Sequence, residues 1–459
     1  MRSWHPNVLL CIFLMVVSPG AFAQEAEAQS TVSTDNSTEL QKLLERLAED
    51  EARIKDLEQK LAIHSEASRD GTSVASDTTP KSPEPATPPS QPPATASNTS
   101  NAEPASSDTE SSDDSEPHGH MVELPGGGPA LKIQGYFDFN FGVGSDANTL
   151  VFPLGAPAHA TFQMGELDLM LMSQLSQKFS FMSELVFSSG TNNQLGIDIE
   201  RYVLSYKANK YLQVGFGRYH TAIGYYNTEF HHGTWFQTAT GRPFMYFFED
   251  NGGLLPVHSI GATATGLVPG TDAVGLHWVA EVANGRASSS LAEPTQNFYS
   301  DRNHKAYNLA AYIAPQAING LQIGASYYKD RIIPPGVTPA DQTIASLYAV
   351  YVTPKWELLN EGVLLRNHLE NQGPIFNTPL AYSQFSRKFG AWRPYFRYQY
   401  VNSSAGDPIN IYTGRYMGPS AGLRWDFTDY AAFKLQYNRL DQRNSKPSNG
   451  LDAQLAFTF

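Results

Sequence analysis

Hydrophobic and polar residues alternate with a period of two along the chain from Leu131 to its end. In the first such segment the apolar residues Leu131, Ile133, Phe137, Phe139 and Phe141 alternate with Lys132, Gln134, Tyr136, Asp138 and Asn140. Alternation of this kind gives a strand one apolar and one polar face. We count sixteen segments, which predict strands at about 131–143, 160–175, 179–187, 195–206, 211–220, 257–267, 274–283, 305–313, 321–329, 342–352, 356–366, 380–387, 392–401, 414–427, 431–440 and 450–459.

The connections between these strands alternate between long and short. The long ones are 144–158, 188–194, 221–256, 284–304, 330–341, 367–379, 402–413 and 441–449, and the short ones are stubs such as 176–178. Antiparallel membrane barrels sort their loops in this way, with short turns at one rim and long loops at the other. The pattern therefore predicts an all-β fold, a 16-stranded antiparallel transmembrane β-barrel over 131–459. A soluble all-β protein is the alternative, but its core would have to accommodate the charged alternate positions.

A closed barrel explains how so polar a chain crosses a bilayer. Every backbone group of a closed sheet is paired, and apolar side chains face the lipid. Sixteen strands leave a water-filled interior. Both ends of the barrel then lie at the short-turn rim, which places the preceding segment in the periplasm.

The N-terminal quarter of the chain has a different composition. Residues 1–117 carry 8 basic and 20 acidic side chains, whereas residues 118–459 carry 24 and 25. Residues 1–23 read as a signal peptide, with Arg2 before an apolar stretch and a small-residue cleavage site at Ala21-Phe22-Ala23. An N-terminal membrane anchor is the alternative, although the apolar stretch is too short to span a bilayer. The single cysteine, Cys11, lies inside this segment, so the mature chain has no thiol chemistry.

Residues 24–64 form the next predicted segment, a periplasmic coiled coil. Leucine and isoleucine recur at heptad spacing from Leu40 to Leu61, with Asp50 interrupting the seam. A single solvated helix is the alternative. Residues 65–130 are rich in Ser, Thr, Pro and acidic residues, which predicts a disordered linker. His118 and His120 in this linker are expected to be solvated rather than metal ligands.

Composition and motifs exclude several classes of function. The net charge of −13 argues against a nucleic-acid-binding protein. The chain contains no P-loop, dinucleotide fingerprint, zinc-protease motif or nucleophile elbow, so we predict no enzyme activity, no cofactor and no metal site.

The last strand and one internal segment resemble known proteins. Leu451, Leu455 and Phe457 alternate with polar residues up to the terminal Phe459, which resembles the C-terminal assembly signal of Gram-negative outer-membrane barrels. The whole arrangement resembles a bacterial trimeric porin, and the segment 214–224 is similar to the strand-to-loop motif of porins related to the phosphate-selective porins O and P. The N-terminal coiled coil resembles that of sugar-specific and dicarboxylate-type porins. The resemblance implies a homotrimer, contact with outer-membrane lipid and recognition of Phe459 by the barrel-assembly machinery.

The longest connection, 221–256, is the candidate constriction of the pore. In porins the corresponding loop folds into the barrel, and an aromatic loop of this length is costly to leave in water. A loop that covers the top or contacts a neighbouring subunit is the alternative. The candidate residues for constriction and selectivity on this loop and the preceding strand are Arg218, Glu229, His231, His232, Trp235, Arg242, Glu249 and Asp250.

Charged residues on the strands complete the candidate site. Inward alternation places Arg393, Arg397, Arg424 and Lys434 on three consecutive late strands, and Asp138, Glu166, Asp168 and Glu184 on early strands. Opposed basic and acidic sides would orient polar solutes by a transverse field. Ordinary ion pairing within the lumen is the alternative reading of each residue.

These features predict an outer-membrane porin, a water-filled channel for passive diffusion of small hydrophilic solutes or ions. A substrate-specific channel for an anion, a sugar or a chelated metal is one alternative. A structural protein that tethers the outer membrane to the cell wall is another.

Overall fold

The computed structural model describes the backbone of residues 120–122 and, in full, residues 129–145, 160–189, 193–230, 233–248, 253–286, 298–299, 303–334, 336–410, 413–443 and 445–459. These residues belong to one compact unit, 109–459. The predicted signal peptide 1–23, the coiled coil 24–64 and residues 65–119 of the linker lie outside them.

Antiparallel strands account for most of the described residues. They are β1 His120–Val122, β2 Leu131–Gly144, β3 Thr161–Gln174, β4 Phe179–Ser189, β5 Leu195–Asn209, β6 Leu212–His220, β7 His258–Leu267, β8 Leu276–Asn284, β9 Lys305–Ile313, β10 Leu321–Ile332, β11 Ala340–Val352, β12 Trp356–Leu369, β13 Ile375–Arg387, β14 Trp392–Asn402, β15 Arg415–Asp426, β16 Ala431–Gln442 and β17 Ser448–Thr458.

The sheet closes on itself. Each strand from β2 to β17 pairs antiparallel with its neighbours in sequence. The last strand, β17, also pairs with β2, with Thr458 opposite Tyr136 and Gly450 opposite Gly144. The predicted 16-stranded antiparallel barrel is confirmed. Closure leaves neither end strand of the sheet without a partner, which is the condition for a sheet to cross a membrane.

A short strand precedes the barrel within the predicted linker. The backbone of β1 pairs with Leu131–Ile133 at the start of β2. Beside it, Phe459 exchanges backbone hydrogen bonds with Gly135, N to O at 3.0 and 2.9 Å. β1 therefore extends the line of β17 along the same side of β2.

The two faces of the wall have the predicted polarity. On β2, Gln134, Asp138 and Asn140 are buried and point inward, whereas Phe139 points outward and is exposed. The same contrast separates outward Leu and Phe residues from inward Asn, Gln, Asp, Glu and Arg on the later strands. The barrel thus has an apolar outside and a polar lumen.

The strands run further than predicted at the rim with the long connections. β10 ends at Ile332, β12 ends at Leu369 and β13 begins at Ile375, so connections predicted at 330–341 and 367–379 shrink to 333–339 and 370–374. Connection 333–339 is then no longer than 314–320 at the other rim, so the alternation of long and short connections is not strict. The longest connection, 221–257, remains at the same rim.

Helical structure among the described residues lies in this longest connection. It contains the single-turn helix α1, Tyr226–Glu229, and two short 3-10 helices, Thr234–Phe236 and Phe244–Tyr246. No helix in the described ranges has the length and apolar character needed to cross a membrane.

Candidate functional site

The connection 221–257, hereafter the inner loop, lies inside the barrel. Its described residues bond with inward-facing side chains from strands on several sides of the wall, including Asp168 on β3, Glu281 on β8, Glu361 on β12 and Lys434 on β16. A loop that covered only the rim could not reach all of these strands. The geometry therefore agrees with the expectation that this connection enters the lumen.

Three cations of the late strands bind the backbone of the inner loop. Arg397 donates to the carbonyl of Gly241 at 2.7 Å. Arg424 donates to the carbonyls of Trp235 and Gln237 at 2.5 and 3.0 Å. Lys434, fully buried, donates to the carbonyls of Thr234 and Ala239. These side chains lie under the loop, so they hold its backbone rather than line an open passage.

Carboxylates of other strands accept hydrogen bonds from the loop. Glu361 accepts from the backbone N–H groups of Tyr225 and Tyr226 at 2.7 and 2.9 Å and from the hydroxyl of Tyr246 at 2.7 Å. Glu281 accepts from the N–H of Ala222 at 3.2 Å. Charge-assisted bonds of this kind are stronger than neutral ones. Cations thus bind loop carbonyls on one part of the wall, and carboxylates bind loop donors on another.

Apolar packing reinforces the polar anchors. Ile223, Met245 and Leu255 of the inner loop are buried in one cluster with wall residues from β10 to β14. The wall members of this cluster include Tyr328, Ile344, Leu359, Val363, Leu365, Leu380 and Val401. Burial of apolar side chains stabilises by about 1.5–3 kcal/mol each. The loop is therefore attached to this sector by packing as well as by hydrogen bonds.

Tyr246 and Arg242 of the inner loop are both buried ionisable groups. Burial raises the pKa of Tyr246 well above its ordinary value, and the charge of Glu361 adds to the shift. Burial lowers the pKa of Arg242, while Tyr226 and nearby carboxylates oppose that change. The Arg242 guanidinium donates to the carbonyl of Tyr246 at 2.8 Å and lies 4.0 Å from the ring centroid of Phe248. Arg242 therefore braces the returning half of the loop.

A break in the alternation of β6 turns Arg218 into the lumen. Gly217 has a φ of 136°, and a Cβ there would lie 2.0 Å from the carbonyl oxygen of Tyr202. Phe216 consequently points outward, while Arg218 is buried with its guanidinium 3.6 Å from Glu200. Only glycine fits position 217. The inward direction of the Arg218 side chain therefore depends on Gly217.

Arg393 differs from the other cations of the late strands. Its guanidinium donates to the carbonyl of Pro354 at 3.2 Å and to the hydroxyl of Ser386 at 3.5 Å, and it lies 3.9 Å from Glu357. These bonds join it to the wall and to the turn below. Arg393 is also less buried than Arg397 or Arg424.

The basic and acidic strands are neighbours, not opposite sides of the lumen. In the closed order only β17 separates β16, with Lys434, from β2, with Asp138. Seven strands would lie between opposed strands on each side in a barrel of sixteen. The expectation of a transverse field between these two sets is therefore wrong, because sequence distance in a closed barrel does not measure distance across it.

The remaining predicted residues divide into two groups. Glu229 is exposed at the end of α1, and the ring of Trp235 lies 5.0 Å from the Arg424 guanidinium. His231, His232, Glu249 and Asp250 lie outside the described residues. No group of three His, Cys, Asp or Glu side chains within the described ranges could hold a metal ion.

Sequence reasoning missed the carboxylate anchors Glu281, Glu357 and Glu361. Glu357 accepts from the hydroxyl of Thr238 at 2.8 Å and from the amide of Gln384. All three sit at inward positions of strands that were predicted correctly. The alternation therefore marks these three glutamates as inward-facing, but nothing in the sequence shows that the loop reaches their strands.

Comparison with known proteins identifies the fold. No protein family and no curated protein sequence matches this chain. Among solved structures, the anion-selective porin from Comamonas acidovorans is 12% identical and matches 72% of this chain and 100% of its own, with a TM-score of 0.50. The outer membrane channel DcaP of Acinetobacter baumannii is 10% identical over 72% of this chain and 98% of its own, with a TM-score of 0.51. OmpF of Salmonella typhi, solved with daunomycin, is 10% identical over 72% of this chain and 98% of its own, with a TM-score of 0.50. The barrel of this chain therefore has the fold of the bacterial outer-membrane porins.

Proposed function

We propose that the protein is a porin of the bacterial outer membrane that conducts small hydrophilic solutes and ions through its lumen. The observation that carries this proposal is a closed barrel with an apolar outside and a polar lumen, into which a well-anchored loop folds. An apolar outside suits lipid, and charged groups inside suit water. The outer-membrane channels that share the fold support the same role.

The inner loop supplies the constriction in this proposal. Its contacts with β3, β8, β12 and β16, on several sides of the wall, support this role. A backbone held at both halves by buried charges keeps the passage at a constant width. Solutes are then sorted mainly by size and by the charges left beside the loop.

Conductance of the purified full chain in a planar lipid bilayer tests the proposal. Stepwise insertion of open channels in KCl is the expected result. A folded, heat-modifiable protein that inserts but carries no current would contradict a porin and favour a structural role. A control preparation unfolded by boiling should give no steps.

The oligomer belongs to the same proposal. Outward apolar residues reach the long-loop rim on β3 and β5, where Phe162 is 70% exposed and Leu195 is 76% exposed. At that rim, β10 and β12 present Arg331 and Arg366 instead. Because large exposed apolar patches mark interaction surfaces, we propose that β2–β5 form the contact between barrels of a homotrimer. The predicted coiled coil at 24–64 would then lie in the periplasm.

A further inference from the structure

One row of inward positions runs around the short-turn end of the barrel. His277 on β8 is opposite Tyr312 on β9, which is opposite Gly324 on β10, which is opposite Tyr348 on β11. The His277 and Tyr312 rings stack with centroids 4.8 Å apart. A Cβ on Gly324 would lie 2.5 Å from the Tyr348 ring. Glycine therefore lets that ring lie along the wall, and the row becomes an aromatic surface.

The start of the inner loop faces this surface. The ring of Tyr225 lies 5.8 Å from that of Tyr348 and 6.4 Å from that of Phe230. Glu229 is exposed at the end of α1 and directly precedes Phe230 in the chain. A carboxylate thus lies at the edge of this group of rings, of which those of Tyr225, Phe230 and Tyr312 are half-buried. We call Tyr225, Glu229, Phe230, His277, Tyr312 and Tyr348 the aromatic–carboxylate patch.

The surrounding wall is acidic. Among the described residues of β8–β12, no Lys or Arg takes an inward position, and the outward ones are Lys305, Lys329, Arg331 and Arg366. The inward Asp, Glu and His residues of these strands are His277, Glu281, Asp330, Glu357 and Glu361. The nearby cations Arg286 and His304 lie at the other rim, next to Asp330. Carboxylates therefore outnumber cations among the inward positions of the wall beside the patch.

A carboxylate beside aromatic faces selects for one class of solute. Ring faces carry the negative part of the aromatic quadrupole and attract cations with an apolar shell, and the carboxylate adds a direct charge attraction. We propose that the aromatic–carboxylate patch binds small organic cations of the alkylammonium or guanidinium class that enter from the short-turn mouth. This inference rests on the proposed channel function.

Block of the KCl current by choline tests the inference. Choline is added in turn to each side of a bilayer containing the full-length protein, and its uncharged analogue, with carbon in place of the ammonium nitrogen, serves as the control solute. Choline should reduce the current in a saturable way from one side, and the analogue should not. Glu229→Gln should raise the half-blocking concentration about tenfold, the loss expected for a charge contact and weakened cation–ring attraction.

Two further variants separate ring from hydroxyl. Tyr312→Leu should raise the half-blocking concentration about threefold, whereas Tyr312→Phe, which keeps the ring, should leave it unchanged. Asp272→Asn is the matched carboxylate control, because Asp272 lies exposed in a turn at the same rim, paired with Lys210 at 2.5 Å. It should not change the block.

Equal block by choline and its analogue, or a Glu229→Gln channel blocked as strongly as the unmodified one, would overturn the inference. A channel that conducts KCl but is not blocked by choline also contradicts cation binding at the patch, while the porin proposal stands. A folded protein that conducts nothing overturns both.

Discussion

Glu361 on β12 joins three parts of the molecule through one carboxylate. It accepts two backbone N–H bonds and one hydroxyl bond from the inner loop, and a fourth bond from the hydroxyl of Tyr382 on β13 at 2.6 Å. A carboxylate can accept all four because each oxygen has two lone pairs. Glu361 thus holds both the beginning and the return of the loop.

The substitution Glu361→Gln tests this anchor. A glutamine keeps one acceptor oxygen and adds two donors, so part of the four bonds is lost, and bonds to a charged group contribute about 1.5–3 kcal/mol each. We expect a mobile loop, seen as higher open-channel current noise, and a lower melting temperature of the folded barrel. Glu370→Gln is the control, since Glu370 pairs with Arg331 at the partly exposed rim. Equal open-channel current noise in the Glu361→Gln and Glu370→Gln variants would contradict the role of Glu361 as an anchor of the loop.

Arg393 is the late-strand cation best placed to act on passing ions. Arg397 and Arg424 hold the loop backbone, whereas Arg393 donates to a wall residue and to a turn. Arg393→Gln should therefore shift the reversal potential in a KCl gradient toward cations and leave conductance nearly unchanged. Arg397→Gln should change both, because its bond to Gly241 is lost. If the two variants behave alike, Arg393 has no separate role in selectivity.

At the scale of elements, alternation predicts strands well where both faces are consistent. β2 and β12 alternate large apolar with polar residues, and their starts agree with prediction. The alternation predicts β13 from 380, but the strand starts at Ile375. Its outward positions include Asn377 and Pro379 rather than large apolar residues, and this part pairs with β12 but not with β14. Proline is tolerated where a strand lacks one partner, so the pattern fades although the strand continues.

The inner loop could be located from sequence only as a long aromatic segment. Its length and apolar content indicated burial, but its anchors depend on which inward side chains meet it across the lumen. Those contacts join residues that are far apart in the sequence, such as Tyr226 and Glu361, which are 135 positions apart. The break at Gly217, which decides where Arg218 points, also leaves no mark in the alternation beyond the glycine itself.

Deleting residues 234–240 tests the loop as an element. This segment lies over Arg424 and Lys434, which bind its carbonyls. Its removal should widen the passage and raise single-channel conductance by about twofold or more. Trp235→Ala should change conductance little, since the main contacts of the segment are through its backbone. A deletion variant that folds yet conducts like the unmodified channel would show that the constriction lies elsewhere.

At the scale of the whole molecule, the trimer should depend on barrel contacts and not on the N-terminal helix. The predicted coiled coil is short and interrupted at Asp50, and short helices are marginal alone. Removing residues 24–117 should therefore leave the oligomer intact in mild detergent, as measured by light scattering.

Ile197→Arg should instead weaken the oligomer, because Ile197 is 70% exposed on the apolar face of β5. Leu309→Arg, on the outward face of β9, is the matched control and should leave the oligomer assembled. Monomers after the N-terminal deletion, together with trimers after Ile197→Arg, would place the stabilising contacts in the coiled coil.

Closure of the barrel brings the last residue of the chain against its first long strand. The Phe459 ring lies over Gly135, where a Cβ would meet it at 2.1 Å, and Phe457 stacks on Phe137 across the same seam with centroids 6.1 Å apart. Gly135 and Phe459 also exchange two backbone hydrogen bonds. The terminal residue therefore contributes a ring and a pair of bonds to the seam, whatever part it has in recognition by the assembly machinery.

Graded changes at the terminus separate these contributions. Phe459→Ala keeps the backbone pair and loses the ring, deletion of Phe459 loses both, and Gly135→Ala displaces the ring but leaves the terminus intact. If the ring is recognised by the assembly machinery in cells, Phe459→Ala and the deletion should both lower the fraction of heat-modifiable barrel, and Gly135→Ala should not. If the ring only seals the seam, Gly135→Ala should resemble Phe459→Ala, and refolding in detergent should show the same order. Normal assembly of the deletion variant in cells would contradict any role of Phe459 as an assembly signal.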